Sequence, residues 1–378
     1  MNAPKIRFND FNDEWVEYIL QSESDVRDGT HDSPKYVDNG YPLITSKNLT
    51  DMGTLDFSNV SYLKQEDFNK INQRSKVDIG DILFGMIGTI GKPVRIDRDD
   101  FAIKNVALIK EKGLIKNDYL IHYLHTPTIN KQFANNQDGG TQKFIALDKI
   151  RKLKIKMPSR KEQEKIVSLF NLLDKKIELQ SKKIEDLKLF KKGLIHQMKK
   201  SSNNWSEYKI SEIFKITRGV VIPKTDLLDN KTTEYQYPVY SSQTSNNGIL
   251  GYDTKFDFDG KYLTWTTDGA NAGKVFYRNG KFRCTNVCGV LYNDNNKYVD
   301  ELTAELLNYE TPKHVSYVGN PKLMNNVMGD IKIFLPDSNE SDRVSNILLI
   351  INNKVLLETD KLNKLNKFKK GLMQNMFV

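Results

Sequence analysis

Residues 155–198 return without a gap 178 positions later as residues 333–376, and this duplication limits the possible folds more than any other feature of the chain. Both copies begin around a proline, Pro158 or Pro336, and both close on Phe-Lys-Lys-Gly-Leu, at 190–194 and 368–372, with Met198 and Met376 beyond. Between these ends apolar residues recur at steps of four and three. They are Ile166, Phe170, Leu173, Ile177, Ile184, Leu187, Leu194 and Met198 in the first copy, and Val344, Leu348, Ile351, Val355, Leu362, Leu365, Leu372 and Met376 in the second. Such a seam predicts one long helix per copy whose apolar stripe needs a partner. Ser159 with Glu162, and Asp337 with Glu340, have the N-cap and N3 spacing that starts a helix. About 40 residues at 1.5 Å each would span roughly 60 Å.

Two equal seams in one chain can bury each other, and antiparallel pairing would create a pseudo-twofold axis. Gln180 and Glu358 interrupt the seam at equivalent positions near its midpoint and are expected to face each other as a buried polar layer. Lys191 and Lys369 interrupt it nearer the ends, where long side chains can reach solvent without a partner.

The residues outside the helices repeat as well, in landmarks more than in identity. Trp205 and Tyr208 reproduce the spacing of Trp15 and Tyr18, Tyr237-Pro238 echoes Tyr41-Pro42, and Gly260 with Leu263 echoes Gly80 with Leu83. Gly273-Lys274 echoes Gly91-Lys92, Asn286-Val287 echoes Asn105-Val106, and Thr311-Pro312 echoes Thr126-Pro127. Short strands are predicted at 41–45, 81–84, 93–96 and 106–110, and a helix over 118–125 ended by Pro127. The expected organisation is a mixed domain over 1–157, a long helix over 158–200, a second mixed domain over 201–335 and a second helix over 336–378. The fold class is α+β: two mixed α/β domains joined by two long antiparallel coiled-coil helices, with an internal pseudo-twofold repeat.

The formal charge of +9 favours a polyanionic partner. Polar, turn-forming segments recur in both domains and mix Lys or Arg, suited to phosphates, with side chains suited to base edges. They place Thr30, His31, Ser46, Lys47, Lys92, Gln142 and Lys143 of the first domain, and Arg218, Ser242, Gln243, Lys274 and Lys322 of the second, as candidate nucleic-acid contacts. Catalytic signatures fail by contrast. Gly91-Lys92 and Gly273-Lys274 are followed by Pro93 and Val275, and Met86 and Asp268 stand where a phosphate loop has its first glycine. The five His are scattered, and Cys284 and Cys288 have no second ligand pair, so no metal set is expected. No apolar run is long enough to span a bilayer, which predicts a cytoplasmic protein with no membrane partner. A coiled-coil scaffold joining two protein-binding domains fits the same pattern, and salt-dependent DNA affinity separates the two readings.

The whole chain resembles the specificity subunits of Type I restriction-modification systems. The resemblance is carried by Gly80-Asp81-Ile82-Leu83, Gly139-Gly140-Thr141-Gln142, Pro158 followed by Glu162-Gln163-Glu164-Lys165-Ile166, and the repeated F-K-K-G-L string. The second half departs from it, with Ser341-Asp342 at the place of Gln163-Glu164 and Val318-Gly319-Asn320-Pro321 at the place of the double-glycine loop. The resemblance implies two target-recognition domains, each reading half of an interrupted sequence in double-stranded DNA, with the helices as spacer. It also implies an absence of catalysis in this chain. Methyl transfer would belong to modification subunits, two in number, using S-adenosylmethionine. Translocation and cleavage would belong to restriction subunits using ATP and magnesium.

Overall fold

A computed structural model describes residues 3–50, 53–88, 90–134, 144–201 and 205–378. Two compact units emerge, Met1–Ser181 with Asp360–Val378, and Lys182–Thr359. Each contains one mixed domain and half of each long helix.

In the first unit, Val16–Ile19 pairs antiparallel with Lys154–Met157, so the strand that enters the domain lies beside the one that leaves for the first long helix. Between them lies a four-stranded antiparallel sheet in the order Ser24–Asp28, Val106–Glu111, Ile82–Gly85, Gly91–Arg95. A three-stranded sheet has Tyr41–Ile44 at its centre, antiparallel to Ser61–Leu63 and parallel to Ala102–Ile103. Ile82, Leu83, Phe84, Ala107, Leu108 and Ile109 are all fully buried, which accounts for the unbroken apolar runs in these strands. The predicted helix forms over Asn117–Leu124, but Pro127 opens a further helix, Pro127–Ala134. A proline costs nothing at a first helical position, where its missing N–H would be unpaired anyway.

The second unit repeats the frame. Ser206–Lys209 pairs with Lys332–Leu335 as entering and leaving strands. Its sheet has six strands, in the order Lys215–Arg218, Cys288–Tyr292, Phe258–Thr266, Val275–Cys284, Tyr237–Tyr240, Ile249–Asp253. Cys284 and Cys288 are buried free thiols on successive strands. The helix Glu301–Glu310 packs on the sheet and is capped by the Asp300 carboxylate, which accepts from Thr303 N.

The long helices run Arg160–Ser201 and Ser338–Met376. None of the sixteen predicted seam residues is exposed, and Phe170, Ile166 and Leu348 are at most 1% open. The helices are antiparallel within each unit. In the first, Lys369 pairs with Asp174 while Phe377, two turns on, packs on Phe170, one turn back. In the second, Lys183 meets Glu358 at 2.9 Å and Lys191 meets Asn352 at 3.0 Å. Glu358, expected opposite Gln180, is 4% exposed and receives the Lys183 ammonium, one turn from Gln180.

Lys191 and Lys369 differ from expectation, because both have acidic partners: Glu305 at 2.7 Å, and Asp174. Each lysine is only 20–26% exposed beside its packed domain, and a countercharge compensates the water it has lost. Glu162 does not close a capping box either. Its buried carboxylate takes two 2.8 Å bonds from Arg7, whereas Asp337 does cap its helix, accepting from the amides of Asn339 and Glu340. No helix among the described residues is long and apolar enough to cross a membrane.

Candidate nucleic-acid interface

In the first domain three polar segments converge on the turn at Asn105, which has a left-handed backbone (φ 56°). Gly29 N donates to Val106 O and Thr30 N to Ile103 O, both at 3.0 Å, while Asn105 N returns a bond to Thr30 O at 3.2 Å. Lys104 N donates to Ile44 O, bringing in the segment that carries Ser46 and Lys47. The Ser46 hydroxyl then donates to Asn105 O at 3.1 Å and accepts from Met86 N at 3.3 Å, which fastens the chain at Met86. Met86 O accepts from Ile145 N, just after the segment containing Gln142 and Lys143, two candidates that lie outside the described residues.

The second domain builds the same hub from different residues. Gly219 N donates to Cys288 O and Val220 N to Cys284 O; Thr285 N donates to Tyr240 O, and its hydroxyl reaches Ser241 Oγ at 2.9 Å. Thr267 N donates to Val287 O and Leu323 N to Thr267 O. Cys288 thus takes the structural place of Val106, one residue later than the sequence echo suggested. Thr30 and Val220 each form a parallel bridge to the hub, with Lys104 and Thr285. Gly29 and Gly219 permit this approach: a Cβ would lie 2.4 Å from Ile103 O at Gly29 and 2.0 Å from Cys284 O at Gly219.

Of the residues selected from sequence, His31, Lys47, Arg218, Lys274 and Lys322 are exposed, Thr30, Lys92, Ser242 and Gln243 are half-buried, and Ser46 is buried. His31 stands between Asp28 Oδ2 (2.9 Å) and Asn105 Oδ1 (2.8 Å), and the Asp28 bond raises its pKa above the usual imidazole value. Two oxygen acceptors, one on each ring nitrogen, suit the protonated ring, which donates from both. In the second domain Arg218 Nη2 donates to Thr267 Oγ1 at 3.4 Å, Thr267 donates to Asp268 at 2.6 Å, and Asp268 lies 3.9 Å from Lys322. Three separate loops therefore present one charged row. Lys274 is close enough to the domain for desolvation to lower its pKa.

Sequence reading missed three features here. Asn105 is the hub itself, and its signals were an Asn before a strand and its echo at Asn286. Arg278 is 3% exposed, with its guanidinium 3.6 Å from the Tyr240 ring centre, beneath the segment that carries Ser242 and Gln243. Tyr317 and Val318 stand 68% and 92% exposed at the tip of a hairpin closed by two 2.9 Å bonds between Ser316 and Lys322. Among the described residues no His, Cys, Asp and Glu cluster could hold a metal ion.

The duplicated frame thus holds matching hubs that carry different side chains. A family model for the Type I restriction modification DNA specificity domain matches residues 30–189 and 202–367, and the chain belongs to that family. As a member it is a non-catalytic, DNA-binding specificity subunit of a Type I restriction-modification complex. A Mycoplasma pneumoniae protein named as type I specificity subunit S.MpnORF365P is 35% identical over 213 residues, which are 54% of this chain and 77% of that one. The specificity subunit of type I restriction enzyme MpnII, from the same organism, is 40% identical over 142 residues, 37% of this chain and 42% of its own. The crystal structure of a Type I restriction-modification S subunit from M. genitalium superposes with a TM-score of 0.70 at 16% identity, covering 100% of this chain and 99% of that one. At that identity the likeness concerns the fold.

Proposed function

We propose that residues 1–157 and 201–335 are two target-recognition domains, each reading one half of an interrupted, asymmetric DNA site, and that the helices over 158–200 and 336–378 set the spacing. The observation that carries this reading is the hub built twice on the same backbone bonds with different side chains. Equal scaffolds with unequal loops are what two different half-sites require. Thr30, His31, Lys47, Lys92, Gln142 and Lys143 face the first half-site in this reading, and Arg218, Ser242, Gln243, Lys274 and Lys322 the second. Ser46 acts from behind by fastening the chain at Met86.

The helices also dock partners in this reading. Leu172, Leu179 and Phe190 are 70%, 55% and 61% exposed, and their repeat equivalents Ile350, Leu357 and Phe368 are 68%, 63% and 57% exposed. These positions fall on one face of each helix, outside the buried seam. Two like apolar stripes suit two copies of one partner, the modification subunits with their S-adenosylmethionine. Restriction subunits with ATP and magnesium would complete the assembly. The test is the methylated motif in DNA of cells carrying this chain with its partner subunits, before and after exchange of residues 205–334 for those of a relative. One half of the motif should change; a change in both halves, or in neither, refutes the assignment.

A further inference from the structure

The duplication makes position 174 equivalent to 352, 163 to 341 and 369 to 191, yet only the last pair keeps its residue: Lys369 and Lys191. In the first unit Lys369 is answered by Asp174 on the other long helix. The domain offers this pair His122 and His125, whose pKa values burial lowers, and the buried His122 ring packs 5.1 Å from Phe170. In the second unit the carboxylate comes from the domain instead. Lys191 donates to Glu305 at 2.7 Å, and the helix supplies neutral Asn352, which accepts from Lys191 and donates to Glu301.

The second differing position also holds the domain helix, again by different chemistry. Gln163 accepts from Lys116 N at 3.3 Å and donates to Leu114 O at 3.4 Å, directly at the start of Asn117–Leu124. Ser341 acts through the cap of Glu301–Glu310, donating to Asp300 Oδ2 at 2.6 Å, while Ser345 Oγ accepts from Leu302 N at 2.9 Å. The departure of Ser341 from the first copy's pattern thus has a partner in the domain it meets.

We propose that each recognition domain is keyed to its own segment of the helix pair, because the carboxylate that answers the shared lysine lies on the helix in one unit and on the domain in the other. The second domain set on the first segment would bring Glu301 and Glu305 to a lysine already neutralised by Asp174. The first domain set on the second segment would leave Lys191 facing the buried, neutral ring of His122 in place of Glu305. Either exchange strands a charge at a packed contact, the repulsive element by which a surface rejects a wrong partner. The order of the two domains along the chain is thereby fixed by charge. This inference does not depend on which bases either domain reads.

The test uses the full chain and no DNA. Asn352→Asp keeps the shape and imports the first unit's carboxylate beside Glu301 and Glu305, with Lys191, Lys274 and Arg278 as the nearby cations. Hydrogen exchange of the 301–310 amides should accelerate about tenfold. The effect should be larger at pH 8 than at pH 5, because Glu301, raised to about 6 chiefly by burial, is ionised only at the higher pH. Adding Glu305→Gln should restore protection, and Asn352→Ala should act equally at both pH values. Equal behaviour of Asn352→Asp and Asn352→Ala at both pH values overturns the key. A chain with residues 1–157 and 201–335 interchanged gives a second reading. Its domains should be protease-sensitive and regain protection with Gln163→Ser, Asp174→Asn, Ser341→Gln and Asn352→Asp together. Full protection without those four changes also overturns it.

Discussion

Gly219→Ala isolates the contact that gives the second hub its shape. The added methyl would stand 2.0 Å from Cys284 O, 2.5 Å from Cys284 C and 2.5 Å from Thr285 O, all backbone atoms that cannot rotate away. Relief requires separating the Val220 segment from the hub by roughly 1 Å, which breaks or stretches the bonds Gly219 N to Cys288 O and Val220 N to Cys284 O. Two backbone bonds at about 1 kcal/mol each and overpacking at about 1–3 kcal/mol give a cost of roughly 3–5 kcal/mol. Most of that cost can be avoided by undocking only the segment after Arg218. The variant should therefore keep its global fold while the docked segment becomes a minor state, lowering DNA affinity by a factor of about 100 or more. The assay pairs hydrogen exchange of the Val220 and Thr285 amides with DNA titration at fixed salt. Gly193→Ala, on the open face of the first long helix with no atom within 4 Å, is the control and should stabilise by about 0.5–1 kcal/mol. If Gly219→Ala exchanges no faster than wild type and binds DNA as tightly, the close-approach argument fails.

DNA affinity should fall as pH rises through the elevated pKa of His31, since Asp28 favours the imidazolium; the stability that this pair gives is complete below about 6.5 and lost above the raised value. His31→Gln should flatten the affinity profile, and an unchanged profile would refute a charged role. His122 titrates with the opposite sign: burial lowers it to about 4, so its contribution is complete above 6.5 and lost as pH falls from there towards 4. His122→Leu should then move the acid-unfolding midpoint of the first unit to lower pH. Alanine at Lys47, Lys92, Arg218, Lys274 or Lys322 should reduce the slope of log affinity against log salt by about one wherever the residue contacts a phosphate, and unchanged slopes for all five would remove the proposed surface. Leu172→Glu with Leu179→Glu should prevent one modification subunit from binding while leaving thermal stability within about 0.5 kcal/mol, because both side chains are already in solvent.

Much of this protein is written locally. The long helices were legible because a seam at steps of four and three has one helical explanation, and sixteen positions placed by period alone proved sheltered. The repeat was legible because identical landmarks recur in order. Strands such as Val106–Glu111 and Ile82–Gly85 could be found within a residue or two, since runs of β-branched and aromatic residues bounded by Gly, Asn and Asp have few alternatives. The candidate loops were legible only as a class.

What the sequence left undecided depends on residues far apart in the chain that meet only after folding. Lys191 and Lys369 read as solvent-seeking, because nothing near them in sequence announces Glu305 or the enclosing domain. Glu162 read as a capping residue until Arg7, 155 residues away, claimed its carboxylate. The hubs around Asn105 and Thr285 gather segments separated by tens of residues through backbone bonds that any side chain could accompany, so composition gives no sign of them. Periodicity thus fixes the long helices, whose hydrogen bonds are local, whereas the placing of charges and loops depends on long-range packing, which only the tertiary structure specifies.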